Sequence, residues 1–111
     1  MTGGSVPAMT AKLVVLYTQP DDPDVFERHY RDQHLPLVHA IPGLQRAETG
    51  RIVAEADGGD PLWYRLTELY FADRAGLDTA LATPEARAAA SDYRTIAPPG
   101  SRLLVQSLDE D

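Results

Sequence analysis

Cysteine is missing from all 111 residues. That excludes disulfides, thiolate zinc sites, iron–sulfur clusters and cysteine nucleophiles, though not a zinc site of histidines and carboxylates. Positive charge is scarce. Ten Lys plus Arg stand against seventeen Asp plus Glu, a formal net charge of −7. Such a surface does not neutralise phosphates, which argues against nucleic acid or an anionic membrane as partner. No apolar run approaches the ~20 residues of a membrane span. Met1 to Met9 carries neither the basic nor the apolar region of a secretory signal, so a cytoplasmic location is expected. Asparagine is also absent, and a single Lys stands beside nine Arg. The rest is ordinary: 43% hydrophobic and 24% charged residues belong to a folded globular chain. The length suits one domain around one core.

Residues 1–11 offer Gly, Ser and Thr with little to bury and are expected to form a disordered leader; a single domain is expected over 12–108. Lys12 to Thr18 is short, apolar and β-branched, a buried strand. Asp22 and Pro23 suit the start of a helix, with Asp24 and Glu27 placed as a capping box. Pro36 disfavours helical geometry at Leu35, so this helix is expected to stop near His34. Leu44 to Ala56 reads as a second strand with a bulge at Gly50. The turn Asp57-Gly58-Gly59-Asp60-Pro61 leads into a third strand, Leu62 to Ala72. Asp73 caps a short helix. Thr83-Pro84 restarts it as an Ala-rich helix to about Ile96, and Arg102 to Leu108 is a fourth strand.

This βαββαβ order fits a ferredoxin-like α+β fold: a four-stranded antiparallel sheet with both helices on one face. The other face should then alternate polar with apolar if it met water. It does not. Trp63, Leu69 and Phe71 oppose Leu62, Tyr64, Leu66 and Tyr70 on the third strand, and Val14 and Leu16 oppose Leu13, Val15 and Tyr17 on the first. A second copy of the same sheet is the economical cover, so a homodimer is expected.

Phe26, Tyr30 and His34 stack along one helix face at i, i+4 and i+8, with Val25 and Val38 beside them. Glu27, Arg28, Arg31 and Asp32 look solvated. As packing alone, Phe26 and Tyr30 are core, and His34 is a histidine favoured by the helix dipole. As chemistry, Tyr30 supplies a hydroxyl one turn from a base that titrates near neutrality. That pair suits proton abstraction beside a carbonyl, the phenol bonding the enolate. His29, His34 and His39 recur every five residues. Five α-helical positions turn about 500°, so a straight helix cannot bring them to one metal, and no metal site is expected. His29 should be exposed and His39 packed near Pro42. Tyr64, Glu68 and Tyr70 share one side of the third strand. They form either a packed interface or the wall of a pocket for an aromatic ligand.

The run Phe26-Glu27-Arg28-His29-Tyr30-Arg31-Asp32-Gln33-His34-Leu35-Pro36-Leu37 resembles the F-x-x-x-Y-x-x-x-H-x-P-L signature of EthD-like proteins in the dimeric α+β barrel superfamily. Pro42-Gly43-Leu44, Glu68 to Asp73 and Thr83-Pro84-Glu85 resemble later segments of that family. The resemblance spans nearly everything from Lys12 to Val105. It implies a ferredoxin-like protomer pairing sheet to sheet. Relatives in the superfamily include isomerases, polyketide cyclases, quinol-type monooxygenases and haem-degrading monooxygenases. Several act without any cofactor, through a His on the first helix or the loop after it, a role that falls to His34 here. The haem-degrading members use an Asn beside the haem, which this chain lacks.

The expectation is an enzyme without a cofactor acting on a small aromatic or carbonyl compound: a cyclase, dehydratase, isomerase or monooxygenase. His34 and Tyr30 would be catalytic, and Phe26, Tyr64, Glu68 and Tyr70 would bind substrate. The alternative is a small-ligand binding or accessory dimer without catalysis.

Overall fold

β1 (Ala11–Thr18) is the strand around which the sheet is built. It pairs antiparallel with β3 (Trp63–Phe71) on one side and with β4 (Arg102–Ser107) on the other. β2 (Arg46–Arg51) pairs antiparallel with β3, giving the order β2-β3-β1-β4. A computed structural model of the chain describes residues 10–109. Most of the expected leader lies outside those residues. Ala11, placed in the leader by its composition, is instead fully buried at the start of β1.

The helices lie between the strands as their caps dictate. The Asp22 carboxylate accepts the Val25 N–H at the start of α1 (Pro23–His29). Asp73 accepts from Gly76 to open α3 (Arg74–Leu81), and Thr83 accepts from Ala86 to open α4 (Pro84–Ile96). Glu27 closes no capping box; it turns to the sheet and pairs with Arg65.

The first helix does not stop before Pro36. α1 runs into a π-helical turn over Tyr30–His34 and on into α2 (Leu35–His39). The Leu35 N–H reaches back five residues to the Tyr30 carbonyl. In a regular α-helix the Pro36 ring would crowd the Asp32 carbonyl. The wider π-turn relieves that contact, and the chain continues helical through the proline. The turn also explains the spacing of the buried residues. Phe26, Tyr30, His34 and Val38 are all buried, each four residues from the last. Four residues of α-helix overshoot one turn by about 40°, and the π-turn takes that drift back. Val25, by contrast, points outward.

The second strand is shorter than expected and pairs through Gly50 without a break in register. The irregularity falls elsewhere: Tyr17 faces Arg65 and Thr18 faces Trp63, so Tyr64 is the extra residue of a bulge. Tyr64 and Arg65 are consequently both buried under the helices.

Two clusters fill the space between helices and sheet. One is aliphatic, with Val38, Ile41, Leu69, Phe71 and Leu77. The other is aromatic, with Val15, Tyr17, Phe26, Tyr30 and Tyr64. On the opposite face Val14 pairs across the ladders with Leu104 and Leu16 with Leu66, which leaves an apolar strip with no layer over it. Lys12, Glu68 and Tyr70 flank it, with Lys12 bound to Glu68 and the Tyr70 hydroxyl donating to Glu48. No helix among the described residues is long and apolar enough to cross a membrane.

Candidate functional site

The helix α4 is rich in alanine, and its inner face cannot fill the gap above the sheet. Ala86, Ala89 and Ala90 leave a cavity of about 370 Å³ at the seam between the two clusters. Val38 and Ile41 wall it from one side, and Leu13, Val15 and Leu69 from the sheet. Three buried polar side chains line it: Tyr17, His34 and Thr67.

His34 is 5% exposed and held at both ring nitrogens. Nδ1 lies 2.8 Å from Asp92 Oδ2, and Nε2 lies 3.4 Å from the Tyr17 hydroxyl. Asp92, on α4, also takes a hydrogen bond from His29 Nε2 at 2.8 Å. Burial pushes the Asp92 carboxyl up, but the hydrogen bonds from His29 and His34 outweigh it and hold the group below its ordinary value. Asp92 is therefore a carboxylate, an acceptor only, and both imidazoles donate to it. His34 carries its proton on Nδ1, and Nε2 is left as a lone pair facing the cavity. Burial pushes the His34 pKa down; the bond to Asp92 opposes this, and the net direction is downward. The ring is thus neutral at neutral pH, with the Nε2 lone pair able to accept a proton. Burial raises the Tyr17 pKa, so its phenol stays protonated and donates. The 3.4 Å contact is long for a hydrogen bond and leaves Nε2 loosely engaged.

The expected site residues separate into three places. His34 lines the cavity. Tyr30 packs against the His34 ring at 5.5 Å between centroids, but its hydroxyl bonds Thr67 and, at 2.9 Å, Thr49. Phe26 stacks on Tyr30 and meets Tyr64 edge-on at 5.4 Å, so both back the site from within the aromatic cluster. The Tyr64 hydroxyl donates to Glu27, and burial with that bond pushes its pKa up to about 12. Glu68 and Tyr70 stand on the other face of the sheet, separated from Tyr64 by the bulge. His39 is exposed, and His29 is half-buried against Asp92. Among the described residues no three His, Asp or Glu side chains converge as metal ligands.

Sequence reasoning missed Tyr17, Asp92 and Thr67. Asp92 had a signal, an acid well inside an otherwise Ala-rich helix. The pairing of His29 with His34 had none, because the turn that brings both to one carboxylate is a π-turn and not an α-turn.

Sheet order and helical layer define a ferredoxin-like α+β protein, with a histidine-bearing cavity between the layers. The EthD domain model matches residues 19–97, and the chain belongs to the EthD family. It is 37% identical over 93 residues to an uncharacterised 11.0 kDa protein of Rhodococcus erythropolis encoded between thcB and thcC, covering 84% of this chain and 89% of that one. A crystal structure of an EthD family protein from Bacillus halodurans superposes with a TM-score of 0.83 at 35% identity, covering 88% of this chain and 97% of the other. Two more distant structures share the fold. The hydroxynitrile lyase of Passiflora edulis has a TM-score of 0.76 at 13% identity, over 95% of this chain and 98% of the lyase. The cofactor-independent oxygenase SnoaB of Streptomyces nogalater has a TM-score of 0.65 at 19% identity, over 94% of this chain and 97% of the oxygenase.

The buried imidazole makes stability depend on pH. The unfolded chain binds a proton at His34 near the ordinary value of 6.5, and the folded chain does so only at lower pH. The unfolded state therefore binds more protons as pH falls through that window. The stability tied to neutral His34 is full above 6.5 and is lost below it. Urea denaturation between about pH 7.5 and about pH 5.5 should show a falling midpoint, and His34→Gln should flatten that fall. An equal slope in both proteins would mean that His34 is not buried neutral.

Proposed function

We propose that this protein transfers protons on a small carbonyl-bearing or aromatic compound without a cofactor, with His34 as the base. One observation carries the reading: His34 is fixed by Asp92 at Nδ1 and presents Nε2, beside the Tyr17 hydroxyl, to a mainly apolar cavity. A C–H bond next to a carbonyl breaks, its electron pair moves onto the carbonyl oxygen, and the proton passes to Nε2. Asp92 steadies the imidazolium so formed, and the Tyr17 phenol donates to the enolate oxygen. The hydroxyl role expected of Tyr30 thus passes to Tyr17, because the Tyr30 hydroxyl is engaged with Thr67 and Thr49. Tyr30 and Phe26 position the imidazole by packing. The same fold in a hydroxynitrile lyase and a cofactor-independent oxygenase is consistent with this class of reaction.

The test is hydrogen exchange in D₂O at the carbon beside the carbonyl of small aryl ketones, followed by proton NMR. The protein should accelerate it, and His34→Gln should remove about 10²–10⁴-fold of the effect. Tyr17→Phe should cost more than Tyr30→Phe. Full exchange activity in His34→Gln would leave the cavity as a binding site only.

The working unit on this reading is a homodimer joined through the open sheet face. Val14, Leu16, Leu66 and Leu104 give that face its apolar strip, with Glu68 and Tyr70 at its border as interface residues and not as substrate contacts. Sedimentation at low micromolar concentration should give twice 12.1 kDa. Leu16→Glu should give one unit, since it buries a charge without a partner. A wild-type monomer would overturn the interface.

A further inference from the structure

We propose that the compound taken into this cavity is an apolar anion, a small molecule whose carboxylate is held by Arg87 at the cavity wall. The inference rests on the reading of the cavity as the ligand site, and it narrows the substrate class. Among the described residues Arg87 is the sole permanently charged side chain lining the cavity. It is exposed, and among the described residues no carboxylate lies within ion-pair distance of it. Its helical neighbours at three and four residues are Thr83, Pro84, Ala90 and Ser91, none of them acidic. Lys12, Arg31, Arg46, Arg65 and Arg74 each face an acid and Arg51 lies over the Tyr64 ring, whereas Arg28, Arg94 and Arg102, like Arg87, have no ion pair among the described residues but line no part of this cavity. A guanidinium left without a partner beside an apolar cavity, in a chain of net charge −7, is the feature to be explained.

A bound carboxylate explains it. Guanidinium and carboxylate match as a fork of two parallel hydrogen bonds, a geometry that a neutral amide cannot reproduce. The rest of the wall suits the remainder of such a molecule. The aliphatic side chains of Val38, Ile41 and Leu69 take an apolar body, and Tyr17 and His34 take the reacting carbonyl. Arg87 and Asp92 are five residues apart on α4, about 7.5 Å along the axis. Five positions also turn about 140° beyond a full circle, so Arg87 stands at the cavity wall while Asp92 turns to His29 and His34 behind the ring.

Calorimetry of the full chain with naphthalene-2-carboxylate and its neutral carboxamide tests the inference at low ionic strength. The carboxylate should bind about tenfold tighter, as expected of a charge-assisted pair. Arg87→Gln, a change at an exposed position, should remove that preference, weakening the carboxylate far more than the carboxamide. His34→Gln should keep the preference. Equal affinity for the two probes in the wild type, a preference that survives Arg87→Gln, or binding of neither probe would overturn the proposal. Equal affinity with His34-dependent exchange intact would remove the anion inference alone. Lost exchange activity with an Arg87-dependent preference intact would remove the base alone.

Discussion

The site depends on one carboxylate shared by two imidazoles. Asp92 takes hydrogen bonds from His29 and His34, one on each oxygen, both at 2.8 Å. That contact joins the first helical segment to α4 and fixes the tautomer of His34 at the same time. With Nδ1–H spent on Asp92, the basic lone pair must lie on Nε2, toward Tyr17 and the cavity. Removing the carboxylate would free both rings and leave His34 Nδ1 without an acceptor in a buried place, a loss larger than that of one surface hydrogen bond.

Geometry elsewhere serves this contact. The π-turn at Tyr30–His34 puts His29 and His34 one wide turn apart, within reach of the same acceptor. It also keeps Phe26, Tyr30, His34 and Val38 on the buried side through a proline that would otherwise end the helix. The small side chains of α4 then keep the space in front of the ring open. A helix of leucines at 86, 89 and 90 would close the cavity and turn His34 into a core residue. Below the ring, the bulge at Tyr64 turns an extra aromatic toward the helices and gives the imidazole a wall of packed rings.

Much of the fold was legible because it rests on local rules. Asp22-Pro23, Asp73 and Thr83-Pro84 mark helix starts by capping, and the apolar run at Lys12–Thr18 marks the central strand. The two-faced apolar pattern of the first and third strands foretold a sheet with an uncovered face. His34 stood out as a candidate through its spacing from Tyr30 and its place in the family signature, and it lines the cavity. Its partners were not, because Tyr17 and Asp92 are 17 and 58 residues away and meet it only through tertiary packing. Pro36 misled for a related reason: its bias against helix is local, whereas the π-turn that accommodates it is held by the buried Tyr30 and His34. Tyr64 was grouped with Glu68 and Tyr70 by strict alternation, which a bulge breaks without a sequence mark.

The protonation of the His34 ring is the quantity on which the account turns. Nitrogen-15 NMR of the imidazoles reports directly which ring nitrogen carries the proton. The account predicts a His34 spectrum with a protonated Nδ1 and an unprotonated Nε2, persisting below the ordinary histidine value of 6.5 and lost when Asp92 is replaced by Asn. A proton on Nε2 at neutral pH, or a ring that becomes charged above 6.5, would contradict it.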